Sequence, residues 1–446
     1  ERTPKYKCFI LIGGVLGCLI ACFVPYRPLL NVIYGINGYL GFVLIVFMMV
    51  NDLKAWIKNN NNNHKKMKNQ KIENHKCIVF GPDHYNPLGV IRSLGEAGVY
   101  PIVILWANCP VLVNHSKYIS KLYVVDSIES GYKILTTIYG NEDEKPFLFL
   151  TMDKIVSFID SHYNEIKNKF ITYNGGGQGR LNWLMNKDNI TNLGMQAGLD
   201  VPAKEVVETG VLPNHVKYPV ITKVLDSTMG AWKGDVHICN DETELLEAYQ
   251  KIQSPKLIVQ EYIKKKGEFC FEGFAINDGN DIFLPFEFKY IRLYEDSYGH
   301  YMTVTKVVED AFISKIRKLF KLAKFNGIFE IEFMRGPNDE KYFLEINLRA
   351  STWNYATTVG GANLPYWWVK STLLGRIPVE QIRISKESFT AMVEPSDFKR
   401  NAKAVGYCTW IKQCFGCACH YYHNNKDPKP LLFYLLGKIK GKHVEE

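Results

Sequence analysis

The chain has 446 residues, 47% of them hydrophobic and 22% charged, which excludes wholesale disorder, a collagen-like rod and a coiled coil. Its formal net charge is +9, but residues 1–76 hold eleven Lys and Arg against three Asp and Glu, so the remainder is close to neutral. That distribution argues against a nucleic-acid partner for the globular part.

Cys8 to Val24 carries no charged side chain. At about 1.5 Å per residue it is close to the lower limit for crossing a bilayer. Pro25, Arg27 and Pro28 interrupt it, and Leu29 to Val50 is a second uncharged run. A cleaved signal peptide fits poorly, because the second run follows at once and no clear small-x-small cleavage site precedes a soluble domain. Residues 1–57 are therefore expected to form a transmembrane helical hairpin. Arg2, Lys5 and Lys7 precede it, Lys54, Lys58 and Lys65 follow it, and the loop has only Arg27. The positive-inside rule then places both ends, and everything after Val50, on the cytoplasmic side. The first residue is Glu rather than Met, which fits a piece of a longer product. Residues 58–76, with Asn59 to Asn63 and scattered lysines, read as a flexible linker.

From residue 77 strand and helix alternate. Lys76 to Gly81 is a buried strand, Asn86 to Gly98 has helical spacing, and Pro101 to Trp106 is a second strand. This βαβ unit predicts a parallel sheet over residues 77–178. Tyr123 to Val125 and Pro146 to Thr151 continue the alternation, and Asp153 to Lys167 reads as a helix. The turn Gly81 to Asn86 lacks the glycine spacing of a dinucleotide site. Asp83, His84, Asn86 and Arg92 remain candidates for substrate contact near the carboxyl end of the first strand, with turn and helix-cap chemistry as the alternative. The glycine-rich Asn174 to Gly179 reads as a domain junction.

The chemistry lies between Lys187 and Arg349. Tyr342 to Ile346 reads as a strand, and period two puts Glu345, Asn347 and Arg349 on one side. Gly327 to Met334 is another strand, with Glu330 and Glu332 on one face, and the Gly336 to Glu340 turn joins the two as a hairpin. Antiparallel pairing brings Glu332 beside Glu345 and Asn347. Two carboxylates and an amide oxygen form a hard-oxygen site of the kind Mg²⁺ uses when it also binds phosphates, and Arg349 then faces a negatively charged reacting group. Lys223 ends the strand Tyr218-Pro-Val-Ile-Thr and precedes the small-residue loop Asp226 to Gly234, a placement suited to a nucleotide phosphate. Leu257 to Ile263 is an apolar strand running into Lys264-Lys-Lys-Gly267-Glu268.

This order of parts resembles the ATP-grasp superfamily of carboxylate–amine ligases, over roughly residues 77 to 378. Asn347-Leu-Arg349 followed by Ala356 to Pro365 is nearest to D-aspartate-ligase-like and carbamoyl-phosphate-synthase-like members. The resemblance implies an α/β architecture: an ATP-grasp fold (residues 179–378) preceded by a parallel-sheet βαβ domain (77–178). Arg180 to Pro202 looks like the opening helical segment, and Lys187 and Lys223 like the two phosphate-binding lysines. The Asp226 to Gly234 loop looks like the lid over the triphosphate. Gln260, Glu261 and Ile263 match the hinge that contacts adenine, and Glu268 matches the acid on the ribose hydroxyls. Glu332, Glu345 and Asn347 match the ligands of Mg²⁺ (or Mn²⁺), and Arg349 matches the arginine beside the transferred phosphate. Gln260 stands where an acid is common, three lysines lengthen the segment before Gly267, and the lid has only two glycines.

The implied activity is an ATP-dependent ligase that phosphorylates a small-molecule carboxylate, such as an amino acid, and lets an amine displace phosphate from the acyl phosphate. The tether points to a substrate near the membrane, such as a cell-envelope precursor. An ATP-sensing regulatory domain attached to a membrane transporter unit is the alternative. Residues 379–446 form a Cys-rich extension beyond the family core. Cys414-x-x-Cys417 has metal spacing but lacks a second well-spaced pair, so buried free thiols are expected rather than zinc. Pro430 to Lys438 reads as a helix, lying either on a membrane surface or on the enzyme domain.

Overall fold

The structure is a computed structural model that describes residues 75–225, 234–293 and 299–439. The expected hairpin (1–57), the linker up to Asn74 and the lid from Asp226 to Lys233 lie outside the described residues. Among the described residues, no helix is long and apolar enough to cross a membrane.

Five strands, β1 (Cys77–Pro82), β2 (Ile102–Trp106), β3 (Lys121–Val125), β4 (Phe147–Leu150) and β5 (Ile171–Thr172), form a parallel sheet in the order β3-β2-β1-β4-β5. The helices between them are α1 (Tyr85–Glu96), α2 (Ile128–Ile134), α3 (Asp153–Ser161) and α4 (Tyr163–Ile166). Central strands of a parallel sheet are covered on both faces, so β1 and β4 are apolar without alternation and their side chains are buried. The single helix expected over Asp153–Lys167 is broken at His162, whose backbone leaves helical geometry and whose Nδ1 lies 2.8 Å from the Phe158 carbonyl oxygen.

Arg180–Met185 (α5) and Lys187–Ala197 (α6) divide the expected opening helical segment at Asn186. The Asn186 side chain accepts from the Asp188 and Asn189 N–H groups, so this residue caps α6 rather than continuing α5. β6 (Lys204–Glu208), β7 (Val220–Val224), β8 (Ile238–Cys239) and β9 (Lys256–Glu261) form a four-stranded antiparallel sheet, β6-β9-β7-β8, covered by α7 (Glu242–Tyr249).

The largest sheet comprises β10 (Gly267–Ile276), β11 (Asp281–Tyr290), β12 (Tyr301–Lys306), β13 (Gly327–Arg335), β14 (Lys341–Asn347), β15 (Ser388–Met392) and β16 (Cys419–His420). Its order is β14-β13-β10-β11-β12-β15-β16, antiparallel except for the last pair. The remaining helices are α8 (Ala311–Ala323), α9 (Asn354–Val359), α10 (Leu364–Leu374), α11 (Glu394–Val405), α12 (Tyr407–Gly416) and α13 (Lys429–Ile439). Trp368 of α10 sits edge-on to Phe147, Phe149 and Tyr173, so one apolar core spans the parallel and the large sheets.

The tail after residue 379 is woven into this core. β15 pairs with β12, and the stretch before α13 is clamped to α1. Arg92 is fully buried there, donating to Asp427 Oδ2 at 3.1 Å and to the carbonyls of Tyr421, Tyr422 and Asp427 at 2.8 to 3.1 Å. Arg92 thus serves the fold rather than a substrate. Asp83 likewise accepts from the backbone N–H groups of Val111, Leu112 and Val113, and Asn86 donates to the carbonyls of Thr151 and Ala350. All described cysteines are free, and Tyr434 of α13 packs inward against Tyr422.

Removing one partner of a buried ion pair leaves an uncompensated charge. Arg92→Met is expected to destabilise the chain by about 3–5 kcal/mol in urea unfolding. A loss under about 1 kcal/mol would show that the clamp is dispensable.

Candidate active site

The hairpin of β13 and β14 turns at Gly336–Glu340, where the Gly336 N–H donates to the Glu340 carbonyl at 2.9 Å. Its register places Glu332 opposite Glu345 and Glu330 opposite Asn347. On the other side of β13, β10 places Cys270 opposite Glu332 and Glu272 opposite Glu330. Two parallel rows result on one face of three adjacent strands: Cys270, Glu332, Glu345, and then Glu272, Glu330, Asn347.

The first row faces the four-stranded sheet across a cavity of about 120 Å³. Lys187, Lys223, Gln260, Glu332 and Glu345 all line it. Lys187 opens α6, where its N–H donates to the Leu225 carbonyl, and its Nζ lies 2.8 Å from Glu345 Oε2. Lys223 projects from β7. Gln260 is buried in β9, registered between Lys204 and Ile221. Glu261, Ile263 and Glu268 do not line this cavity, although the Glu268 charge is felt at Lys223. The Glu261 and Tyr262 N–H groups are used by the sheet, donating to Ala203 and Pro219, and Glu268 is held by Lys265 at 3.0 Å.

The second row leads to Arg349. Asn347 Nδ2 donates to Glu330 at 2.7 Å and to Glu332 at 2.8 Å, while its Oδ1 accepts from Arg349 at 3.3 Å. Arg349 makes a two-point contact with Asp153, at 2.7 and 3.2 Å. Asp153 stands in the first turn of α3, just past the carboxyl end of β4, and joins the parallel sheet to the site.

The charges disturb one another strongly. Burial, then Glu330 and Glu345, push Glu332 well above the usual carboxylate range. Burial and Glu330 do the same to Glu272. Lys187 instead holds Glu345 down, and Glu345 in turn raises Lys187. Burial opposes the charge on Arg349, but Asp153 more than offsets it, so the guanidinium stays ionised. Burial and the Lys187 charge lower Lys223 to about 8. His84, in the turn after β1, is lowered to about 4 by burial and by Arg349.

Sequence reasoning passed over Asp153, Glu272, and the two residues that meet the Glu272 carboxylate, Ser351 and Asn354. Two of these had a legible signal: Asp153 follows the carboxyl end of a parallel strand, where ligands gather, and Glu272 is a lone acid in the apolar run Phe269–Phe274. Among the described residues, no three His, Cys, Asp or Glu side chains converge as a metal site without other donors.

No protein-family model and no curated protein matches the sequence. Solved structures do match the fold. An L-amino acid ligase from Bacillus licheniformis superposes with a TM-score of 0.55 at 13% identity, over 72% of this chain and 81% of that one. N5-carboxyaminoimidazole synthetase from Staphylococcus aureus gives 0.58 at 14%, over 74% and 85%. The biotin carboxylase domain of Hydrogenobacter thermophilus 2-oxoglutarate carboxylase, solved with MgADP and bicarbonate, gives 0.55 at 15%, over 71% and 73%. The chain shares their fold, the ATP-grasp fold that the sequence resemblance implied.

The depressed Lys223 has a measurable consequence. Its folded value of about 8 lies below the ordinary 10.5, so between these pH values the unfolded chain binds more protons and stability rises with pH. Urea midpoints at about pH 7.5 and about pH 9.5 are expected to rise less in Lys223→Met than in the unaltered chain. Equal rises would show that Lys223 titrates normally.

Proposed function

We propose that the chain is a membrane-tethered, ATP-dependent carbon–nitrogen ligase that joins a small carboxylate to an amine through an acyl phosphate, releasing ADP and phosphate. One observation carries this reading: the cross-strand pair Glu332 and Glu345 shares one cavity with Lys187 and Lys223, and Arg349 stands just past the next row, on Asn347. Like charges gathered so that Glu332 is raised favour a functional site over a purely structural cluster.

Each residue has a task in this reading. Lys187 and Lys223 draw the triphosphate into the cavity, and phosphate oxygens replace Glu345 as the partner of Lys187. Arg349, held in plane by Asp153, stabilises the charge on the transferring phosphoryl group. Gln260, Glu261 and Ile263 bound the adenine, and Glu268 accepts from the ribose hydroxyls. The donor set Glu332, Glu345 and Asn347 fits Mg²⁺ or Mn²⁺, since all three offer hard oxygens once the Asn347 amide makes a half-turn. The metal supplies neutralisation of phosphate charge. No side chain is needed as a nucleophile, because the substrate carboxylate attacks.

The membrane part of the proposal rests on the uncharged runs Cys8–Val24 and Leu29–Val50 and their basic flanks. They support a hairpin that holds the catalytic part on the cytoplasmic side, close to an envelope precursor bearing the carboxylate or the amine.

The full chain is expected to release ADP and phosphate with Mg²⁺ when offered pooled amino acids and small carboxylates together with an amine. Glu345→Ala is expected to abolish the release, and Arg349→Met to slow it by about 10²–10³-fold. ATP binding with no release from any pool would contradict the ligase reading and favour an ATP-sensing role. For the tether, the full chain is expected to sediment with membranes, and a chain lacking residues 1–71 to remain in the supernatant. Sedimentation of both would refute the hairpin as the anchor.

A further inference from the structure

Helix α13 has two opposite faces. Pro430, Tyr434 and Gly437, spaced four and three residues apart, are buried. Tyr434 packs on Tyr422, and Phe433 stacks on His115 with ring centroids 3.7 Å apart. Gly437 allows a close approach to the segment before that histidine, since a Cβ there would lie 3.2 Å from Val111. These contacts fix the rotation of the helix about its own axis.

The other face is apolar and open. Leu432, Phe433, Leu435, Leu436 and Ile439 are 38% to 81% exposed. Leu432, Leu436 and Ile439 repeat the four-and-three spacing of the buried stripe, about half a turn around the helix from it. Single exposed apolar side chains are ordinary, but five on an eleven-residue helix make a patch that marks an interaction surface.

The charge around the patch decides what covers it. Lys429 opens the helix and Lys438 stands in its last turn, both exposed, and Lys440 and Lys442 follow in the sequence. Pro428 to Lys442 holds these four lysines and no Asp or Glu. A second copy seated face to face would set lysine against lysine with no acid in the segment to offset them. An anionic lipid surface offers the reverse, an apolar layer for the leucines and phosphates for the lysines at the rim. Eleven residues at about 1.5 Å each reach about 16 Å, half of a bilayer's hydrocarbon thickness, so the helix lies in the interface and does not span it.

We propose that the outer face of α13 is a docking surface for anionic lipid. This goes beyond the ligase reading and uses none of its residues. One such face gives only marginal, reversible binding, so it adds to a tether and does not replace one.

The test places an environment-sensitive fluorescent amino acid at Leu435 of the full chain and, in a second preparation, at Val308, an exposed residue outside this helix. Each is combined with phosphatidylcholine vesicles, with and without phosphatidylserine, whose lipids carry a nitroxide quencher just below the headgroup. The Leu435 probe is expected to be quenched with phosphatidylserine and less so without it, and the Val308 probe in neither case. Reversing both charges, Lys429→Glu with Lys438→Glu, is expected to reduce the quenching at Leu435 by about fivefold or more. An unchanged urea midpoint shows that this variant is folded. Equal quenching at the two positions, none at Leu435, or quenching unmoved by the charge reversal would each overturn the docking face. So would a Leu435 probe shielded from aqueous iodide yet untouched by the lipid quencher, which shows that protein covers the face: a second copy if the shielding fades on dilution, residues 1–71 if it does not. The hairpin is judged separately. Sedimentation of the full chain with an unquenched Leu435 probe overturns the docking face alone, and quenching without stable sedimentation overturns the hairpin alone.

Discussion

Four carboxylates on one face of three adjacent strands are the constraint from which the rest of this structure follows. Glu272, Glu330, Glu332 and Glu345 occupy two neighbouring rows of β10, β13 and β14. Burying like charges together is unfavourable, and removing them from water adds several kcal/mol per ion. The fold offsets this by importing cations from elsewhere. Lys187 comes from the head of α6, Lys223 from the four-stranded sheet, and Arg349 from the segment after β14. Even so, Glu332 and Glu272 remain far above the usual carboxylate range. This face is left short of positive charge.

The same constraint explains why the parallel sheet and the tail are parts of one body. The parallel sheet delivers Asp153 to Arg349 and fixes the guanidinium plane. Its helix α1 is in turn clamped by Asp427 through Arg92, and the adjoining Tyr421 hydroxyl bonds the Trp353 carbonyl just beyond Ser351. The C-terminal segment thus continues the support of the site, tying the loop that carries Arg349 to Trp353 back onto α1.

Local patterns in the sequence revealed much of this. The Gly336–Glu340 turn and the period of two were enough to pair Glu332 with Glu345, because a hairpin register depends on neighbouring residues alone. Partners hundreds of positions apart were not legible. Nothing near Arg92 announces Asp427, which lies 335 residues away, and so a buried structural arginine stood among the candidates for substrate contact, with helix-cap chemistry as the alternative. Asp153 carried a local sign, its place after a parallel strand, but its pairing with Arg349, 196 residues away, was not legible. Glu272 was legible as a lone acid in an apolar run, but its meaning depends on a neighbour, Glu330, that only the sheet order supplies. The membrane hairpin remains a reading of composition and flanking charge.

The central claim is that this face demands a cation and a polyanion together. Calorimetric titration of the full chain with a non-hydrolysable ATP analogue, with and without Mg²⁺, tests it most directly. The account predicts tight binding that requires Mg²⁺ and weakens strongly in Glu345→Ala. Equal binding in the presence and absence of Mg²⁺, or none at all, would contradict it.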